Sequence, residues 1–184
     1  MTAALRGTPA STPAPAERTA TVRFPQAWAV TRKNGAVVAK APHSQSYMFI
    51  GAPQIAAGSD LTESARASMR EAGFSPLHGQ PAEINGLPAF VGFYTGRLHD
   101  LGDVIVEAAH VVLNEHSYVI AGVAPWTEYD TVRHEFFTTI NSFGDQSEGS
   151  DACIAAPSSE PSAPLATVLN FPTATGGKLH QNVA

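Results

Sequence analysis

The chain is short of the residues that covalent and metal chemistry need. Among 184 residues there is one cysteine, Cys153, so no intrachain disulfide can form and a cysteine-based zinc site lacks its ligands. Charged residues make up only 15%, and the net charge is -5. A nucleic-acid binder would carry a basic face, and no Lys/Arg cluster interleaved with aromatics occurs, so no nucleic-acid partner is expected. No apolar run approaches the roughly 18 residues of a membrane-crossing helix, so no membrane span is expected. Met1–Arg18 has no apolar core of the signal-peptide kind. The chain as written is expected to be soluble and without an export signal of its own. The lack of disulfides leaves its compartment open.

Catalytic motifs are missing as well. His134-Glu135 begins a His-Glu-x-x-His pattern, but position 138 is Thr, so the second zinc ligand is absent. No serine sits in a Gly-x-Ser-x-Gly elbow. Gly176-Gly177-Lys178 echoes a phosphate loop, but Pro172 and Leu179 stand where Gly and Ser or Thr are required. Cys153 lies in linker-like sequence with nothing to order a partner base. Asp100 and Asp103 flank one turn, too few oxygens for a hard cation. The seven histidines are His43, His78, His99, His110, His116, His134 and His180, and they read as surface residues of loops and strand faces. Glu107 and His110 are three apart in a strand-like run, a spacing that puts them on opposite faces. No cofactor and no metal ligand is expected.

What is present is a fold signal. Residues 1–18 are rich in Ala, Thr and Pro and read as a flexible lead; 146–184 read as a low-complexity tail; 19–145 read as the folded domain. Thr21–Phe24 and Trp28–Arg32 suggest strands broken at Pro25. Asn34-Gly35 signals a hairpin, with Ala36–Ala41 returning across it. Ser46–Gly51 is the next strand. Asp60-Leu61-Thr62-Glu63 has capping-box form and opens a helix predicted over Leu61–Ala72, stopped by Gly73. Ala82–Ile84, Leu87–Arg97, Val104–Leu113 and Ser117–Val123 predict further strands. Thr127 is the expected N-cap of a second helix whose apolar stripe is Tyr129, Val132, Phe136 and Ile140. Hairpin-length connections make the strands antiparallel, so the expected class is α+β, an antiparallel sheet flanked by two helices. Two aromatic–proline boundaries could carry binding: Trp28 with Phe24 and Pro25, and Trp126 with Pro125 and Tyr129. Core packing is the competing account for each.

The run Ile84-Asn85-Gly86-Leu87-Pro88-Ala89, then Gly102-Asp103-Val104-Ile105-Val106 and Tyr118-Val119-Ile120-Ala121-Gly122, resembles the non-catalytic C-terminal region of bacterial M48 (Ste24-type) zinc metalloprotease proteins. Ile140-Asn141-Ser142-Phe143, Phe24-Pro25-x-x-Trp28 and Asn34-Gly35-Ala36-Val37 extend the likeness over about 21–143. The resemblance implies a PsbP/Mog1-like α+β sandwich. It also implies an accessory or interaction domain without its own active site, whose partner is an M48-type protease or that protease's substrate protein. The family's zinc ligands and general base map onto no position here. Two other readings stand beside it. One is a stand-alone PsbP-like ligand-binding module, with a pocket of roughly 300 Å³ or more between sheet and helices. The other is a hydrolase built on Glu107 with His110 or His116. The chain could equally be the tail of a larger reading frame whose catalytic domain lies outside it.

Overall fold

A computed structural model describes residues 20–33, 35–56, 60–144 and 152–153. The expected lead and tail lie outside these residues, except for Ala152–Cys153. In chain order the elements are β1 (Thr21–Val22), β2 (Ala29–Lys33), β3 (Ala36–Lys40), β4 (Tyr47–Ile50), β5 (Gln54–Ile55), α1 (Leu61–Glu71), β6 (Ser75–Ile84), β7 (Leu87–Leu98), β8 (Gly102–Leu113), β9 (His116–Pro125), α2 (Tyr129–Asn141) and β10 (Ala152–Cys153). The main sheet runs β2-β3-β4-β9-β8-β7-β6, with β5 also on β9. Every pairing is antiparallel. The α+β class and the two flanking helices expected from the sequence are what the fold shows.

Strand alternation separates two apolar layers. Ala109, Val111, Ile120 and Ala124 pack with Val132, Phe136 and Ile140 of α2. Their neighbours Val104, Val106, Ala108, Ala121 and Val123 pack with Met69 of α1 and with Phe74. Adjacent residues of a strand point to opposite faces, so the two helices cover opposite sides of one sheet. This layering is why β8 and β9 are almost wholly apolar: they are the central strands and are covered on both sides.

The helix ends follow local chemistry. Asp60 caps α1, its carboxylate accepting from the Thr62 amide at 2.9 Å. Gly73, at φ +86°, closes the helix, and the Phe74 amide reaches back to the Met69 carbonyl at 2.9 Å. For α2 the expected N-cap is corrected: Glu128, not Thr127, occupies that position, and its side chain makes no capping bond. Asn85 and Gly86, both at positive φ, make the predicted tight turn between β6 and β7. Asn114 and Glu115 make another between β8 and β9 without a glycine, and β9 starts at His116, one residue before the expected Ser117.

Two strands depart from expectation in a telling way. β6 extends back to Ser75, far beyond the expected Ala82–Ile84, although it contains Pro76, Gly79 and Pro81. It lies at the sheet edge, where a residue without an amide proton is tolerated, and its register slips between Pro76 and His78. Ala152–Cys153 pairs antiparallel with Thr21–Val22, so Cys153 lies in a short ladder rather than a linker.

One contact sets the height of α2 above the sheet. A Cβ placed on Gly122 of β9 would lie 2.3 Å from the Phe136 ring. Phe136 is fully buried and occupies the space that any larger residue at 122 would need. Gly122→Ala should therefore lower stability by about 1–3 kcal/mol through overpacking. Urea denaturation measures this, and pairing the change with Phe136→Leu should recover part of the loss.

Candidate functional site

Helix α2 lies on its sheet face with an open groove along each flank. The first groove, about 510 Å³, runs between α2 and the loops that flank β2 and β3. Trp28, Pro42, His43, Glu128, Val132 and Glu135 are among its walls. The loop before β2 is turned by the Trp28 amide bonding the Pro25 carbonyl at 2.9 Å, which drops the Trp28 indole into the core. Only 8% of Trp28 is exposed, and its ring meets Phe136 edge-on at 6.1 Å. Packing therefore accounts for most of the Trp28 surface, and one side of it forms groove wall.

Glu128 fastens the opposite wall. Its Oε2 accepts from Ser44 Oγ at 2.6 Å, Ser46 Oγ at 3.0 Å and the Gln45 amide at 3.2 Å. The bond from Ser44 and the other donors hold this carboxyl below the usual glutamate range. The N-cap side chain of α2 is thus spent on tying the β3–β4 loop to the helix. His43, at φ +58°, marks the sharp bend that loop must make. Across the groove Glu135 has a buried Oε2 with no hydrogen-bond partner.

The second groove, about 420 Å³, lies between α2 and strands β7 and β8 and is lined by Phe93, Glu107, Tyr129, Arg133, His134 and Phe137. At its base Glu107 is 5% exposed. Tyr129 Oη donates to Glu107 Oε2 at 3.2 Å, the one hydrogen bond this carboxylate makes among the described residues. Burial pushes the Glu107 carboxyl up from 4.5 to about 7, and the Tyr129 bond offsets part of that. Burial, then the Glu107 charge, holds the Tyr129 phenol well above its ordinary value.

The three aromatic residues singled out from the sequence come to different ends. Trp28 and Tyr129 approach the same Phe136 ring, Tyr129 at 6.4 Å, but each lines a different groove. Trp126 lines neither and is 59% exposed at the end of β9, its amide bonded to the Asp103 carbonyl at 3.0 Å.

Among the described residues, which leave out His180, the histidines do not converge. His99 pairs with Asp100 at 2.8 Å, His116 with the Asn114 carbonyl at 2.7 Å, and His78 stacks on Phe93 at 4.5 Å. His110 corrects the surface reading, because it is buried and its Nε2 has no hydrogen-bond partner. Burial alone pulls it down to about 4, so it is neutral at physiological pH. Glu107 and His110 occupy opposite faces of β8, as their spacing requires. His116 lies six register positions from the row of Glu107, on the order of 20 Å along the strand. No group of three or more His, Cys, Asp or Glu residues among the described residues is placed to hold a metal ion.

No family model matches the chain, and no curated protein sequence does. The expected kinship with the M48 region therefore finds no counterpart there. Solved structures do resemble it. PA94 from Pseudomonas aeruginosa, a protein of unknown function, aligns at a TM-score of 0.50 and 10% identity over 67% of this chain and 95% of that one. Cyanobacterial PsbP (CyanoP) from Synechocystis aligns at 0.47 and 11% identity, over 74% of this chain and 98% of that one. LpqN of Mycobacterium tuberculosis aligns at 0.43 and 13% identity, over 69% and 83%. At such identities the likeness is one of fold alone.

The Glu107 shift makes a signed prediction. With the folded carboxyl at about 7 and an ordinary value near 4.5 in the unfolded chain, Glu107 disfavours the fold increasingly as pH rises from 4.5 through 7. Glu107→Gln keeps an acceptor for Tyr129 and removes the charge. It should be more stable than the parent by about 1–3 kcal/mol near pH 8, with the difference vanishing near pH 4. Urea melts across that range provide the check.

Proposed function

We propose that this chain is a non-catalytic binding module that takes a partner along the flank of α2 at the Trp28 groove. The observation that carries this reading is the construction of that groove. Apolar Trp28, Ala41, Pro42 and Val132 line it together with two carboxylates of the α2 side, Glu128 and Glu135, and a loop is bonded to the helix to hold the opening. The volume falls in the range of small-molecule sites, but the groove is half open to solvent, which suits a chain segment better than an enclosed ligand. Glu107 stands apart from His110 and His116, the two pairs named for a hydrolase, and this supports the binding reading over that one. Trp126, 59% exposed just before α2, adds anchoring surface.

The narrower proposal is that the partner is an M48-type protease or its substrate protein. Its support is the set of short motifs between Phe24 and Phe143 described above. Co-purification of this chain with such a protease, lost on Glu128→Ala, is the expected result.

The binding reading is tested on the purified chain by amide NMR with a mixture of short peptides. Shifts should cluster at Trp28, Ser44 and Val132, and disappear in Glu128→Ala while the rest of the spectrum is kept. Shifts elsewhere, or none, would overturn it. Stoichiometric zinc with chelator-sensitive proteolysis would overturn the non-catalytic half.

A further inference from the structure

The second groove carries chemistry that the binding reading above does not use. Glu107 is a carboxylate set in the α2-facing side of a central strand, between Phe93 of β7 and Gly122 of β9 in register. It is nine-tenths buried and yet lines an open groove. One oxygen accepts from Tyr129, and no other partner reaches this carboxylate among the described residues. Phe93, Tyr129 and Phe137 supply aromatic surface around it. We propose that this groove is a subsite for a primary alkylammonium group, of the kind a lysine side chain presents, with Glu107 as its counter-ion and the rings as its walls.

Three arguments favour a cation. A buried carboxylate without a charged partner is costly, and an ammonium nitrogen brings both the missing charge and the missing donors. Aromatic faces attract such a cation through their quadrupoles and cover its alkyl stem. The chain's net charge of -5 favours the approach of cations over anions.

The charged and titratable groups around Glu107 are few. On α2 they are Tyr129, Arg133 and His134, with Asp130 beside them; on β6, His78 stacks on the far side of Phe93. Arg133 is the rival cation. Its guanidinium is instead turned to Asp130 at 3.7 Å, with both side chains largely in solvent. Glu107 makes no ion pair with it, so the carboxylate is left for a ligand that can enter. Because the ligand needs the ionised carboxylate, affinity should rise as pH climbs through about 7.

The experiment titrates the full chain with n-butylammonium while the Glu107 carboxyl carbon and the Phe93 and Phe137 rings are followed by NMR. Saturating amine should lower the Glu107 titration midpoint by about one unit and shift both rings. In Glu107→Gln the affinity should fall about tenfold or more, with the remaining spectrum unchanged. Phe137→Ala, a surface change that leaves the core intact, should weaken binding about threefold or more. Arg133→Gln should strengthen it by removing the competing cation. Three results would overturn the proposal: equal ring shifts with n-butanol, a raised Glu107 midpoint with acetate, or no response to the amine. None of these readouts involves the Trp28 groove, so this inference and the partner-binding reading can fail separately.

Discussion

The absence of a side chain at Gly122 is the constraint on which the α2 side of this fold depends. Seven residues form one row across the sheet: Val30, Ala39, Met48, Gly122, Glu107, Phe93 and His78, each the register partner of the next. Phe136 lands on the one member of the row that has no side chain. That contact seats the helix over the middle of the sheet. The sheet extends beyond the helix on both sides, and the uncovered margins become the two grooves. On one margin the loops around Trp28 and Ser44 rise to meet the helix. On the other, Phe93 and Glu107 are left as the floor.

The same row explains why an acid stands in a central strand. Glu107 is next to Gly122, directly beside the helix, so its carboxyl is too close to α2 to reach bulk water freely. Tyr129 lies nearly two turns before Phe136 and supplies one hydrogen bond where several would be needed for full compensation. An apolar residue at 107 would pack on Tyr129 without this electrostatic cost. The fold thus carries a local destabilisation at a groove, a pattern more common at binding positions than at purely structural ones. Glu128 shows the opposite case, a half-buried acid surrounded by donors and held firmly ionised. Two glutamates of one region are driven apart in character by their surroundings alone.

Much of the scaffold was legible in the sequence because local signals agreed with the tertiary outcome. Asp60 and Gly73 bracket α1, Asn85-Gly86 turns a hairpin, and the apolar runs at 104–113 and 116–125 fit strands covered on both faces. What could not be read depended on contacts distant in sequence. Ser75–Gln80 looks like loop because Pro76, Gly79 and Pro81 oppose strand formation, and only its place at the edge, paired to β7, overrides them. The Thr127 cap fails as an expectation because Glu128 holds that position, and its side chain serves Ser44 and Ser46, more than eighty residues away. The grooves themselves follow from where Phe136 meets Gly122. One sign was available: Glu107 is the sole acid between Val104 and Leu113, and a lone acid in such a run warranted a question about its partner.

The prolines of β6 have a consequence for how copies of this chain can meet. Wherever Pro76 or Pro81 faces outward, a neighbouring strand finds no proton to accept. The register slip beside them, with Leu77 pushed outward, bends the rim away from a straight template. Both devices weaken backbone pairing along that side of the sheet. That rim is thus a poor template for adding a further strand.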